Sequence, residues 1–290
     1  MQLNIPVRKS PQDIEFYLEQ GPRFGAILKD LSIQISEGFL KSGHEVEAEF
    51  RRLSAARFFS YKSLFPFETE LNTRGNPFGH ACCVSVNDTV LHSRPKSEEF
   101  IPGDVVSVDC GIALKPTPMA EYHLYFDACF TTVYKELLYT LWVLRPLETL
   151  RRIARPQAYS YYGKTRDITQ IIEDGSLDPR RNDRFMMSGD SNIVVSFTGH
   201  GIGYSLHEAP HIHNMNCGIS DDLFDGMCIC VEPIYSEPIP IQYARDIEKV
   251  YLDSDGWAVK TISGRRTTHF ETVFCCHKGQ LIDSIGITEW

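Results

Sequence analysis

GDVVSVD, residues 103–109, recurs in kind as GMCICVE, residues 226–232. In each, a turn glycine opens a run of β-branched, cysteine and small residues that closes on a carboxylate, Asp109 in the first and Glu232 in the second. Runs of this composition read as strands. The echo suits a chain whose two halves repeat a strand ending in an acid, although a match this short also arises by chance.

An ionised carboxylate at the end of an apolar strand is costly unless a cation or several donors meet it. Two further acids share that setting, Asp127 in LYFDACF and Glu271 in HFETVFCC. Alternation puts Ser107 with Asp109, Tyr125 with Asp127 and Cys129, and Glu271 with Val273 and Cys275 on common faces, while Glu232 directly follows CICV. Taken singly, each acid reads as an arginine's partner or the cap of a turn. Four in one chain, together with His200 inside FTGHGIG, read as a shared cation site. Oxygen donors and one imidazole, with no thiolate implied, suit a pair of divalent ions such as Mn, Fe, Co or Zn. Two ions bridged by acids and a water supply a hydroxide nucleophile near neutral pH and polarise a carbonyl, so hydrolysis is the expected chemistry.

Outward from these acids, Ser10-Pro11-Gln12-Asp13 offers a capping hydroxyl, a proline at the first helical position and an acid in the first turn. Ile14, Tyr17, Leu18, Phe24, Ile27, Leu28, Leu31 and Ile35 keep helical spacing, which predicts one or two helices from about residue 11 to Gly38. Val46, Phe50 and Leu53 predict another over roughly 44–57. From Ala81 the pattern turns to short apolar or alternating runs separated by Asn-Asp, Pro-Gly-Asp and Asp-Gly turns, which are strands. Residues 136–175 return to helical composition, with Pro146 and Pro156 as breaks. Residues 178–192 read as a loop, and EPIYSEPIPIQ, residues 232–242, holds too many prolines to be a central strand throughout.

The chain has 290 residues, 42% hydrophobic and 23% charged, enough to bury the core of one large domain or two small ones. A formal net charge of -9 argues against a protein that works mainly by gripping phosphate backbones or anionic membranes, so no nucleic acid is expected as a partner. MQLNIPVRKS carries no long apolar stretch, and no run reaches the roughly 18 apolar residues of a spanning helix. A soluble, non-secreted chain is expected. The 9 cysteines are odd in number and crowd into apolar runs, which suits buried reduced thiols and a cytoplasmic setting. With no Cys-x-x-Cys pair, a structural zinc module is not expected. Gly199, Gly201 and Gly203 lack the spacing of a phosphate-binding loop and instead let the backbone crowd close to His200 and His207. No Gly-x-Ser-x-Gly elbow for a serine nucleophile is present.

KSPQDIEFYLEQGPRF (9–24), CCVSVNDTVLHSRP (82–95), IPGDVVSVDCG (101–111), FTGHGIGYSLHEAPHI (197–212), DGMCICVEPI (225–234) and DGWAVKT (255–261) follow one another in a telling order. That order and the local spacing resemble the methionine aminopeptidases, particularly the type I branch without the long insert. The resemblance covers nearly the whole chain. It implies an α+β pita-bread fold, two pseudo-twofold-related halves with curved antiparallel sheets inside and helices outside. On that reading residues 1–290 form a single catalytic domain, with 1–40 an N-terminal extension packed on it.

The resemblance also implies that Asp109, Asp127, His200, Glu232 and Glu271 are the metal ligands, which are the residues isolated above. It puts His92 where the family keeps a histidine that contacts the substrate or transition state, and His207 where another steadies the scissile carbonyl. Glu232 gains a second role, accepting a proton from the bridging water. Cys83, Leu206 and Trp257 join His92 and His207 at substrate-binding positions, with Leu206 where an aromatic residue is usual. Such a pocket selects an unbranched, polarisable side chain.

The implied activity is removal of N-terminal methionine from peptides or nascent proteins, through a hydroxide bridging two divalent ions. Peptide or nascent-protein N-termini are the implied partners, ribosome association is admitted, and a monomer is expected. The alternatives are an X-Pro-type metallopeptidase and a catalytically silent pita-bread binding protein. The former shares the metal acids but not DGWAVKT, and the latter is expected to have lost a ligand. Departures from the family touch substrate entry. KPTPMAEYH, residues 115–123, enlarges the hairpin between the aspartates, HSRP stands for the usual HGIP, Thr272 replaces a histidine, and 178–192 and 235–250 look inserted.

Overall fold

The structure, a computed structural model, describes residues 5–61, 64–136, 141–155, 163–176, 193–238 and 247–290. The loop expected over 178–192 lies outside the described residues, as do Pro156 and residues 239–246 of the second apparent insert.

Helix α1 spans Pro11–Ser36 and starts as its sequence dictates: Ser10 Oγ accepts the Asp13 amide while the Asp13 side chain reaches back to the Ser10 amide. This reciprocal cap satisfies two amides that have no helical acceptor. One face buries Ile14, Tyr17, Phe24, Ile27, Leu28 and Leu31 completely or nearly so. Each such side chain contributes about 1.5–3 kcal/mol of apolar burial. Gly21 and Gly25 are required by the close approach of the C-terminal segment, because a Cβ at either would lie 1.9 Å from the Ser284 carbonyl oxygen or 2.1 Å from that of Ile285. Helix α2, Gly43–Arg57, packs beside α1 through Val46, Phe50 and Leu53.

The first sheet is antiparallel, ordered β1-β3-β4, from strands β1 (Cys82–Val86), β3 (Val105–Leu114) and β4 (Leu124–Val133). Here one expectation fails. Asp109 does not end its strand but sits in the middle of β3, because the hairpin runs on to the Leu114–Leu124 pair and KPTPMAEYH forms its tip. The second sheet is ordered β13-β12-β7-β5-β6, from β5 (Thr198–Gly201), β6 (Glu208–His213), β7 (Cys228–Val231), β12 (Thr272–His277) and β13 (Gln280–Asp283). In this half the strand does end at the acid, since Glu232 follows β7 directly.

The two sheets are stitched where Cys129 and Glu271 exchange backbone hydrogen bonds of 3.3 and 2.9 Å. Short strands flank the seam: β2 (Thr89–Leu91), β9 (Val250–Leu252) and β10 (Val259–Thr261) form one sheet, β8 (Ile234–Ser236) and β11 (Thr267–His269) another.

Helices α3 (Arg145–Ala154) and α4 (Thr165–Ser176) lie with the second sheet. The Tyr235 hydroxyl, 3.1 Å from Thr149 Oγ1 and donating to the Ile172 carbonyl at 2.7 Å, ties them to β8. Pro146 begins α3 rather than breaking a helix, because a proline in the first turn has no amide hydrogen to lose from the ladder. The α+β architecture, antiparallel sheets inside and helices outside, is as expected, and one hydrophobic cluster runs from Ile14 to Ile287. All nine cysteines are free, and Cys217 departs from the expectation of burial because it lies in an exposed irregular segment outside any strand. Among the described residues no helix is long and apolar enough to cross a membrane.

Candidate metal centre and active site

Strand register builds the centre. Cys83 of β1 lies opposite Asp109 of β3, Asp109 opposite Cys129 of β4, and Cys129 bridges to Glu271. Partners across antiparallel strands point the same way, so this row faces one cavity, and Asp127, two residues before Cys129, faces it too. Across the seam Thr272 pairs with Val231, which sets Glu271 beside Glu232. His200 comes from β5, where a bulge follows it. The glycines around it are obligatory: a Cβ on Gly199 would lie 2.3 Å from the Cys230 carbonyl oxygen, and one on Gly201 would lie 2.1 Å from that of Ala209.

All ten residues singled out from the sequence line one cavity of about 150 Å³: Cys83, His92, Asp109, Asp127, His200, Leu206, His207, Glu232, Trp257 and Glu271. Donor atoms of Asp109, Asp127 and Glu271 lie within 4.8 Å of one another, as do those of His200, Cys230 and Glu271. His200 Nε2 is 3.9 Å from Glu271 Oε1 and 4.0 Å from Glu232 Oε1. Its Nδ1–H donates to the Gly201 carbonyl at 2.9 Å, which leaves the Nε2 lone pair turned toward the acids.

This cluster is electrostatically unfinished. Asp109 Oδ1, Asp127 Oδ1 and Glu271 Oε1 are buried without a hydrogen-bond partner. Burial pushes the Asp109 carboxyl up to about 7. Burial and mutual repulsion hold Asp127, Glu232 and Glu271 well above the usual carboxylate range. His200 is driven down to about 3, first by burial and then by His207, so it is neutral. No arginine or lysine meets these acids among the described ion pairs. Orphaned oxygens facing a neutral imidazole fit divalent cations, which would replace the missing counter-charge. Cys230 was not expected in this cluster; burial raises its thiol far above 9, so it stays a neutral neighbour.

Around the acids, the His207 and His200 rings stand 4.4 Å apart, and His92 packs edge-on against Phe197 at 5.8 Å. Both His92 and His207 open onto the cavity, yet the packed wall behind each still depresses its pKa. Buried Cys83 and Leu206, with Trp257, form part of an apolar wall. Phe67 and Phe78 complete it, Phe78 lying 5.1 Å from Trp257. They come from an irregular stretch whose sequence has no period to read. Arg94, from the departure HSRP, stacks over Trp257 at 5.8 Å and donates to the Phe78 and Pro77 carbonyls at 3.0 and 2.5 Å. His269 also lines the cavity, and alternation with Glu271 was the signal that could have found it.

A model of metallopeptidase family M24 matches residues 26–273. The chain belongs to that family. As a family M24 metallopeptidase it binds divalent metal, in accord with the orphaned acids. It is 25% identical over 268 residues to a methionine aminopeptidase of Clostridium perfringens, covering 91% of this chain and 92% of that protein. It is 31% identical over 221 residues to a methionine aminopeptidase of Aquifex aeolicus, covering 70% of each. The methionine aminopeptidase structure from Thermotoga maritima superposes with a TM-score of 0.76 at 24% identity, over 97% of this chain and 99% of that one. The prolidase structure from Pyrococcus furiosus gives 0.59 at 15% identity, over 97% of this chain and 65% of that one. The family M24 chain therefore has the pita-bread fold.

Proposed function

We propose that this family M24 chain is a methionine aminopeptidase that hydrolyses the first peptide bond of peptides or nascent proteins. The observation that carries the proposal is one cavity holding both an orphaned acid cluster and, beside it, a wall of Cys83, Phe78, Leu206 and Trp257. An apolar, thiol-lined and aromatic wall favours a flexible thioether side chain.

Asp109, Asp127, His200, Glu232 and Glu271 would hold two divalent ions of the Co, Mn, Fe or Zn kind. When bound, such ions supply Lewis acidity and an acidified water at neutral pH. Glu232 takes the proton that the attacking water gives up and returns it to the departing amine. His207 and His92, whose depressed pKa values keep them neutral, donate to the carbonyl oxygen and the substrate backbone without adding repelling charge to the site. The apolar wall excludes water and fixes the methionine side chain so that its carbonyl is held beside Glu232. The chain acts as a single catalytic domain and a monomer, and its free, mostly buried cysteines support a cytoplasmic setting.

Hydrolysis of Met-Ala, Leu-Ala and X-Pro peptides by the metal-supplemented protein tests this reading. Turnover of Met-Ala peptides, with Leu-Ala peptides poor and X-Pro peptides untouched, is expected. Turnover of X-Pro peptides alone would make it an X-Pro enzyme, and inertness toward all three would make it a binding scaffold.

A further inference from the structure

His269 lines the cavity beside Glu232 but belongs neither to the five ligand positions nor to the apolar wall. It is 3% exposed, and its Nε2 has no hydrogen-bond partner. That atom lies 3.7 Å from Glu232 Oε2, a small ring rotation short of a hydrogen bond. The other oxygen, Oε1, is 4.0 Å from His200 Nε2. Glu232 thus stands between two imidazoles, one at each oxygen.

The backbone around His269 is clamped. Thr131 Oγ1 accepts the His269 amide at 2.8 Å and donates to the His269 carbonyl at 2.7 Å, while Ser107 Oγ lies 2.8 Å from that same hydroxyl. Cross-strand pairing of His269 with Ile234 holds it against the segment that carries Glu232. A ring fixed at its root on this register reaches Glu232 and no other acid at ion-pair distance among the described residues.

We propose that His269 is a positioning residue for Glu232. Its Nε2–H donates to Oε2, pinning the carboxylate so that Oε1 faces the metal side and the proton is transferred at a fixed place. The inference rests on the proposed role of Glu232. An apolar residue at 269 leaves Oε2 without a donor, whereas glutamine supplies an amide N–H of similar reach.

The test compares wild type, His269→Leu and His269→Gln. In His269→Leu, kcat on a Met-Ala peptide and the Mn²⁺ affinity of the metal-free protein, measured by calorimetry, are each expected to fall about 10–100-fold, with KM little changed. His269→Gln is expected to recover most of both losses. In the metal-free wild type, ¹⁵N NMR is expected to find the His269 ring protonated at Nε2, with a resonance that moves in Glu232→Gln. An Nδ1-protonated ring, a His269→Leu variant equal to wild type, or leucine and glutamine variants equally impaired would overturn the inference. Wild type inert toward Met-Ala peptides would instead overturn the reading of the site on which it rests.

Discussion

The ammonium of Lys9 is joined to the carboxylate of Glu208, with 1% and 8% of the two side chains exposed. Glu208 Oε1 also accepts the amides of Tyr204 at 2.6 Å and Ser205 at 3.1 Å, so the pair braces the loop that carries His207. The Tyr204 hydroxyl adds a second tie, donating to Asp13 Oδ2 at 2.8 Å at the start of α1. The N-terminal segment thereby supports the loop that carries His207.

Replacing one member of a buried pair leaves the other charged and unsolvated. Lys9→Met is expected to destabilise the fold by about 3–5 kcal/mol in urea titration and to lower kcat by loosening His207. Arg52→Ala, which breaks a surface pair with Glu49, is the control and should leave stability little changed. Equal effects of the two substitutions would show that Lys9 and Glu208 gain nothing from their burial.

The apolar wall leads to a second expectation. Arg94 presents two N–H donors to adjacent carbonyls while stacking on Trp257, which holds Phe78 in place. Arg94→Ala should raise KM for Met-Ala peptides about tenfold, near 1.4 kcal/mol of lost binding, with a smaller change in kcat. Arg94→Lys should recover little, because an ammonium cannot make the planar two-donor contact. A steady-state comparison in which kcat falls and KM does not would place Arg94 outside substrate binding.

Much of this centre is legible from the amino acids because burying charge is costly and strands alternate. Asp109, Asp127, Glu232 and Glu271 stand out as acids in apolar runs, and the β3–β4 register, the Cys129–Glu271 bridge and the β7–β12 pairing turn them toward one cavity. Strand ends are less legible: Asp109 looks terminal because Gly111 follows soon after it, yet the hairpin continues through that glycine, over which the Phe67 ring closes. The contributions of Phe67, Phe78 and Arg94 depend on an aperiodic segment and on tertiary contacts that no local pattern encodes. Lys9 and Glu208 are opposite charges at distant positions, a pairing that only the folded chain reveals.

Acid stability depends on Glu47. Its Oε1 accepts the Ala81 amide at 2.9 Å and Arg51 at 2.6 Å, and Oε2 lies 2.8 Å from His80 Nδ1. Burial opposes its charge, but these partners prevail and hold its pKa below the ordinary 4.5. A carboxylate with a lowered folded pKa stabilises the fold above its unfolded value, and that contribution disappears as pH falls through the folded one. Glu47→Gln should destabilise the fold at pH 7 and progressively less below about pH 4.5, so the variant's acid unfolding curve should be flatter. A constant difference from pH 7 to pH 3 would contradict this.

The acid cluster carries opposed demands on stability and function. In the metal-free protein the packed carboxylates repel one another, so Asp127→Asn should raise its melting temperature by a few degrees, at about 2–4 °C per kcal/mol. The same change should reduce metal affinity and abolish hydrolysis. Calorimetric melting of metal-free wild type and variant checks the sign, and a lower melting temperature in the variant would show that Asp127 is satisfied without metal.

The central claim is that Asp109, Asp127, His200, Glu232 and Glu271 together hold two ions, and anomalous scattering from crystals of the Mn-loaded protein tests it most directly. Two peaks about 3.5–4 Å apart, inside the cavity and ligated by all five side chains, are expected. Fewer than two peaks at saturating metal, or peaks seated away from these five residues, would contradict the account.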